Sequence, residues 1–254
     1  NKRGLSDHPV VVTISVIVGL ITILSFLTGR VSLPDFFINE SEAESTPSSI
    51  IEDSLPSPTS RPLTKEYGVI SLQPFSEHTT VESNLGLSSG SHRLADIPFE
   101  TGWTSTTGCS YSPSRPDTFQ ITTNISNPVS IHLLIQAGNA FKRYEENQIG
   151  NVTLNFSTGD EYEMPLVLGF NIRDWAWKNS AAVNTTTSMD IVPAWEGESP
   201  EGIFGGMDVL SIPVQPEQAG STLTSIELTD LSQSIGNDVD PCIHLLALTV
   251  EYLR

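Results

Sequence analysis

The chain has 254 residues, with 12 Lys or Arg against 30 Asp or Glu and a formal charge of −18. That balance argues against nucleic acid, whose phosphates need a basic footprint, and against an anionic lipid surface as partner of the main domain. Two cysteines, Cys109 and Cys242, are too few for a disulfide-built scaffold.

The first residue is Asn1, not Met, so we expect a trimmed N-terminus or an upstream continuation. Residues 1–8 read as a short cytoplasmic segment. Residues 9–29 carry no charge and are mostly Val, Ile and Leu. As a helix such a run rises about 30 Å, enough to cross a hydrocarbon core. It is too long for a cleaved signal peptide, and Gly29-Arg30-Val31 is a poor cleavage site. We therefore expect a signal anchor. Lys2 and Arg3 precede it, and Arg30 stands alone before Asp35, Glu40, Glu42 and Glu44. The positive-inside rule puts the N-terminus in the cytoplasm and the main domain outside the cell or cytoplasmic membrane.

Residues 30–93 read as a linker, rich in Ser, Thr, Pro and Glu from residue 38 on. Such a composition buries too little apolar surface to offset chain entropy, so an extended spacer is expected. Gly86-Leu87-Ser88-Ser89-Gly90 matches the G-x-S-x-G pattern, but a nucleophile elbow needs a strand before it and a helix after it. In a Ser/Gly run the match reads as chance.

From residue 94 to residue 254 the pattern becomes β. Phe119, Ile121 and Ile125 alternate with Thr118, Gln120, Thr122 and Asn124, and Val129, Ile131, Leu133 and Ile135 with Ser130, His132, Leu134 and Gln136. Asn127-Pro128 supplies the turn between the two runs. Val152, Leu154 and Phe156 form one arm of a hairpin that turns at residues 157–160, and Tyr162, Met164, Leu166 and Leu168 form the other. Further strands are expected at residues 207–214, 222–229 and 242–252, with a brief helical turn near residues 140–147. Eight or so short strands predict an all-β fold, a two-sheet antiparallel jelly-roll sandwich.

Asn39, Asn124, Asn151, Asn155 and Asn184 each begin an N-x-Ser/Thr sequon and are candidate glycosylation acceptors. Three of them, Asn124, Asn151 and Asn155, fall on the polar phase of their strands. Cys109 precedes the first clear strand and Cys242 opens the last. Outside the cell a Cys109–Cys242 disulfide would persist, and we expect one, two half-buried thiols being the alternative.

The order Ile149-Gly150, a strand, Gly159, a strand ending in Pro-Leu-Val-Leu-Gly169, then Asn171-Ile172-Arg173-Asp174-Trp175 resembles galactose-binding-like jelly-roll domains of exported bacterial and archaeal proteins. Trp195 stands where the family has a later Trp, whereas Gly138 replaces a common His. The resemblance covers residues 94–253 and implies an accessory module, carbohydrate-binding in some members. Fold alone licenses no ligand.

Asn171, Arg173, Asp174, Trp175, Trp177 and Trp195 are the ligand-binding candidates, with Lys178 beside them. Aromatic faces stack on sugar rings, while Asn, Asp and Arg address hydroxyls. The bland reading of Asp174 and Trp175 comes first: a tryptophan packed at the sandwich end, and a carboxylate accepting backbone N–H bonds. Arg173 and Trp177 read as the exposed pair. Asp238 and Asp240 form an acidic loop able to attract Ca²⁺, but it lacks the full calcium-loop pattern, so no cofactor or metal site is assigned. The five histidines show no metal spacing, and no catalytic constellation emerges.

Three functions follow in order. The first is a membrane-anchored, non-catalytic module recognising glycans. The second is an extracytoplasmic sensor or structural domain of a larger transmembrane protein that continues upstream of Asn1. An enzyme ranks last.

Overall fold

The computed structural model describes residues 63–75, 85–107, 116–235 and 239–254. All belong to the second of two compact units, Ser60–Arg254. The expected cytoplasmic segment at 1–8, the span at 9–29 and most of the expected linker lie outside the described residues. Among the described residues no helix is long and apolar enough to cross a membrane.

The strands run β1 (Lys65–Ile70), β2 (Gly90–Leu94), β3 (Ile97–Thr101), β4 (Ser105–Thr106), β5 (Thr118–Ser126), β6 (Pro128–Gly138), β7 (Gln148–Phe156), β8 (Glu161–Val167), β9 (Ile191–Glu198), β10 (Phe204–Pro213), β11 (Thr222–Asp230) and β12 (Cys242–Leu253). One sheet has the order β1-β12-β6-β10-β9, with β4 also on β12; the other has β5-β11-β7-β8, and β2-β3 is a separate hairpin. Every strand pair is antiparallel.

The two larger sheets share one core. Ile131, Leu133 and Ile135 of β6, Leu210 and Ile212 of β10 and Leu248 and Val250 of β12 meet Ile121 of β5, Val152, Leu154 and Phe156 of β7 and Leu223, Ile226 and Leu228 of β11. Each such side chain contributes about 1.5–3 kcal/mol by leaving water, and the period-two alternation exists because only one face of each strand joins this layer. The turns follow local chemistry. Asn127 takes φ 51 between β5 and β6, and Gly159 takes φ 88 in the β7–β8 hairpin, both in the left-handed region that Asn and Gly tolerate best.

The domain begins earlier than residue 94. β1 lies inside the expected linker, yet it pairs along β12 from Lys65↔Leu253 to Ile70↔Leu248. Its sequence, KEYGVI, suits an edge strand, which ladder hydrogen bonds hold together with the packing of Ile70 on the core. Lys65 adds an ion pair to Glu251 at 2.5 Å, and the Tyr252 hydroxyl donates to Glu66 at 3.0 Å.

A second cluster covers the other face of the β6 sheet. Leu85, Leu87, Leu94 and Phe99 pack on Leu134, Met207, Val209, Leu246 and Ala247, so the phase of β6 expected to face water is buried as well, His132 and Gln136 included. Gln136 is 1% exposed, and neither of its amide atoms has a hydrogen-bond partner. A buried amide without partners costs about 1–3 kcal/mol. Gln136→Leu is therefore expected to raise stability by about 1–2 kcal/mol in denaturant unfolding; a loss of stability would overturn this assignment.

Candidate functional site

The loop after β8 is built on its own backbone. Gly169 takes φ 80, and Asn171 closes the bend by accepting from the Val167 N–H and donating to the Pro165 carbonyl, both at 2.8 Å. With its oxygen and its NH₂ both engaged and 3% exposure, Asn171 braces the bend. Further on, Ala137 N–H donates to the Arg173 carbonyl and Trp175 N–H to the Ala137 carbonyl, both at 2.9 Å, and Gly206 N–H donates to the Trp175 carbonyl at 2.9 Å. The loop is thereby stitched to the ends of β6 and β10.

Consecutive glycines at the start of β10 make room for the two tryptophans on opposite faces. A Cβ on Gly205 would lie 2.9 Å from Trp175 Cε3, and one on Gly206 would lie 2.4 Å from Trp177 Cζ2 and Cη2. Trp175 joins the second cluster with Trp195, whose indole N–H donates to the Leu85 carbonyl at 3.1 Å. Trp177 goes to the opposite side of β10, and its buried indole N–H has no partner.

Arg173 and Trp177 are therefore not an exposed pair. The Arg173 guanidinium holds both carboxylate oxygens of Asp208 at 2.7 Å, donates to the Asn184 carbonyl at 3.1 Å and stacks 3.7 Å over the Trp177 ring. Asn184 closes the circuit by donating to the Trp177 carbonyl at 3.1 Å. The side chains of Arg173 and Asp208 are 11% and 2% exposed. Burial pushes the Asp208 carboxyl up and the Arg173 hydrogen bonds pull it back, burial being the larger effect. The physical reason for the reversal is that Asp208, 35 residues away, supplies a buried charge whose two oxygens Arg173 satisfies.

Asp174 is held differently. Its two oxygens accept the Ala140 N–H at 2.8 Å and the Ala176 N–H at 2.9 Å, so it fastens the segment after β6 to the loop. Burial raises its pKa to about 6, against the lowering effect of those two hydrogen bonds.

Beside Asp174 and Trp175 opens a pocket of about 410 Å³. Its walls come from three segments: Asn139 and Phe141 after β6, Trp175, Lys178 and Asn179 from the loop, and Phe204 where β10 begins. The Lys178 ammonium rests 3.7 Å over the Phe204 ring. Of the six candidate residues only Asp174 and Trp175 reach this pocket; Asn171, Arg173, Trp177 and Trp195 brace the loop around it. The sequence reading did not find Asn139, Phe141, Asn179 and Phe204. The usable signal was Gly205-Gly206, two adjacent glycines opening a strand, which point to bulky partners such as D-W-A-W.

The other candidates separate cleanly. Gly86-x-Ser88-x-Gly90 leads into β2 and not into a helix, and the Ser88 carbonyl accepts from Thr101 Oγ1 at 2.8 Å. Asp238 lies outside the described residues, and Asp240 stands just before β12. Among the described residues no group of three His, Cys, Asp or Glu could hold a metal ion. Cys242 is buried, while Cys109, its expected disulfide partner, lies outside the described residues, as does Asn39. Asn124 is exposed on β5. Asn151 donates to Glu163, and Asn155 to Ser225 at 3.0 Å.

No protein-family profile, no curated protein and no solved structure matches the chain.

Proposed function

We propose that this is a non-catalytic, glycan-binding jelly-roll domain of galactose-binding-like type, held outside the membrane by the span at residues 9–29. The observation that carries the binding reading is the pocket, whose walls combine the aromatic rings of Phe141, Trp175 and Phe204 with the amides of Asn139 and Asn179. Aromatic faces for the C–H side of a sugar ring and amides for its hydroxyls are what a saccharide requires, and a loop-built rim on a rigid sandwich is where such sites occur. The jelly-roll reading is supported by strand order: apart from β2–β4 and the edge strand β9, β1-β12-β6-β10 faces β5-β11-β7-β8. Successive strands then alternate between sheets except at the β7–β8 hairpin, the connectivity of two nested Greek keys. The outside location is supported by the uncharged run at 9–29 behind Lys2 and Arg3, with exposed Asn124 the best-placed acceptor for a glycan.

The test is a glycan array probed with the full chain in detergent, alongside a Phe204→Ala variant. We expect at least one class of saccharide to bind. We also expect Phe204→Ala to weaken that binding by about 30-fold, the effect of losing a contact worth about 2 kcal/mol, with little change in thermal unfolding because Phe204 is only half-buried. An array without binders, or a variant that binds as the wild type does, rejects the reading.

A further inference from the structure

We infer that the saccharide this pocket takes is acidic, a chain of uronic-acid residues whose carboxylate pairs with Lys178; the inference rests on the glycan reading of the pocket. It starts from how this acidic protein uses its few cations. Among the described residues, Lys65 pairs with Glu251, Arg93 with Asp96, Lys142 with Glu145, Arg173 with Asp208 and Arg254 with Glu66. The two other basic side chains, Arg143 and Lys178, rest on aromatic rings. Lys178 lies over Phe204, and Arg143 lies 5.0 Å from the centroid of Phe141 and 4.7 Å from that of Tyr144. Phe204 and Phe141 are both pocket walls, and both cations are exposed. Among the described residues of this acidic chain, the basic side chains without a carboxylate partner are thus Lys178 in the pocket wall and Arg143 against another wall residue, Phe141.

The pocket does not neutralise Lys178 from within. The carboxylate in its lining is Asp174, which is 4% exposed and gives each oxygen to a backbone N–H. A sugar that enters the pocket therefore meets, in the same lining as its aromatic walls, an ammonium that Phe204 holds in place. For a neutral sugar that ammonium meets a hydroxyl; for a uronic acid it meets a carboxylate, and a charge-assisted hydrogen bond is about twice as strong as a neutral one. The negative field of the whole protein opposes an anion in proportion to its charge, so a preference for the uronate over its neutral counterpart has to come from this local pair. Lysine presents a single point charge, matched to one carboxylate per ring.

The experiment titrates the full chain in detergent with oligomers of galacturonate, glucuronate and mannuronate, each beside its carboxyl-reduced, neutral counterpart. A sulfated glycosaminoglycan is run in parallel. We expect one uronate to bind at least tenfold more tightly than its reduced form. Lys178→Gln should weaken the acidic ligand about tenfold more than the reduced one, while Phe204→Ala weakens both. Equal affinity for a uronate and its reduced form, no effect of Lys178→Gln, or tighter binding of the sulfated chain than of every uronate overturns the inference while leaving the glycan reading standing. Absence of binding to acidic, neutral and sulfated saccharides alike overturns both.

Discussion

Arg173→Ala is expected to destabilise the domain by about 3–5 kcal/mol, the usual cost of removing one partner from a buried ion pair. The reason is what the substitution leaves behind. Asp208 is 1% exposed in the middle of β10, and Arg173 supplies both of its charged hydrogen bonds at 2.7 Å. Without the guanidinium the carboxyl must either stay charged in an apolar layer or take up a proton, and both are costly. The Trp177 ring also loses the plane stacked on it, and the Asn184 carbonyl loses a donor. A loss of this size lowers Tm by roughly 10 °C for a domain of this length. The double substitution Arg173→Met with Asp208→Leu is expected to recover most of the loss, because a well-packed apolar pair removes the stranded charge. Denaturant unfolding of the two single variants and the double variant gives the coupling directly. If Arg173→Ala loses less than 1 kcal/mol, Arg173 is not the brace described above and returns to being a surface residue.

That result bears on what was legible in the sequence. Alternation located β5, β6, β7 and β8, because each strand places every second side chain in the shared core, and further strands are expected where β10, β11 and β12 lie. It did not locate β1, whose KEYGVI is held by pairing with β12 and carries almost no hydrophobic period. Nor did it anticipate that Leu85 and Phe99 would cover the second face of β6, since their segments are short and separated by polar turns. In the loop after β8 the alternation rule lapses altogether. Arg173, Asp174, Trp175 and Trp177 are adjacent in sequence, yet they go to Asp208, to two backbone N–H groups, to the Leu85 cluster and to Gly206. Each destination is set by a partner nearly 30 or more residues away or by a backbone group, neither of which has a local signature. The pocket is harder still to read, because Asn139 and Phe204 are single residues drawn together only by the ends of β6 and β10.

Asp174 makes the stability of the domain fall as pH rises from about 4 to 6. Its folded pKa of about 6 lies above the ordinary value of 3.8, so across that interval the folded chain holds a proton that the unfolded chain has released. The stabilisation from the protonated, buried carboxyl is complete below the unfolded pKa and is lost as pH climbs through the folded one. The gap between the two values corresponds to about 3 kcal/mol. Asp208 and Asp230 are raised by burial as well and push in the same direction. His132 opposes them: burial lowers its pKa, so its contribution is lost as pH falls below the ordinary histidine range. Because these groups overlap, the site is isolated by difference. Asp174→Asn keeps the shape but cannot titrate, and its NH₂ confronts one of the two backbone donors that the carboxylate satisfied. The variant is therefore less stable than wild type at pH 4, and its deficit should shrink by about 2 kcal/mol between pH 4 and 7 as the wild-type carboxyl becomes charged. Urea unfolding of both proteins at several pH values measures that deficit. A deficit constant across the range would mean that Asp174 is ionised throughout, with the two backbone N–H bonds outweighing its burial.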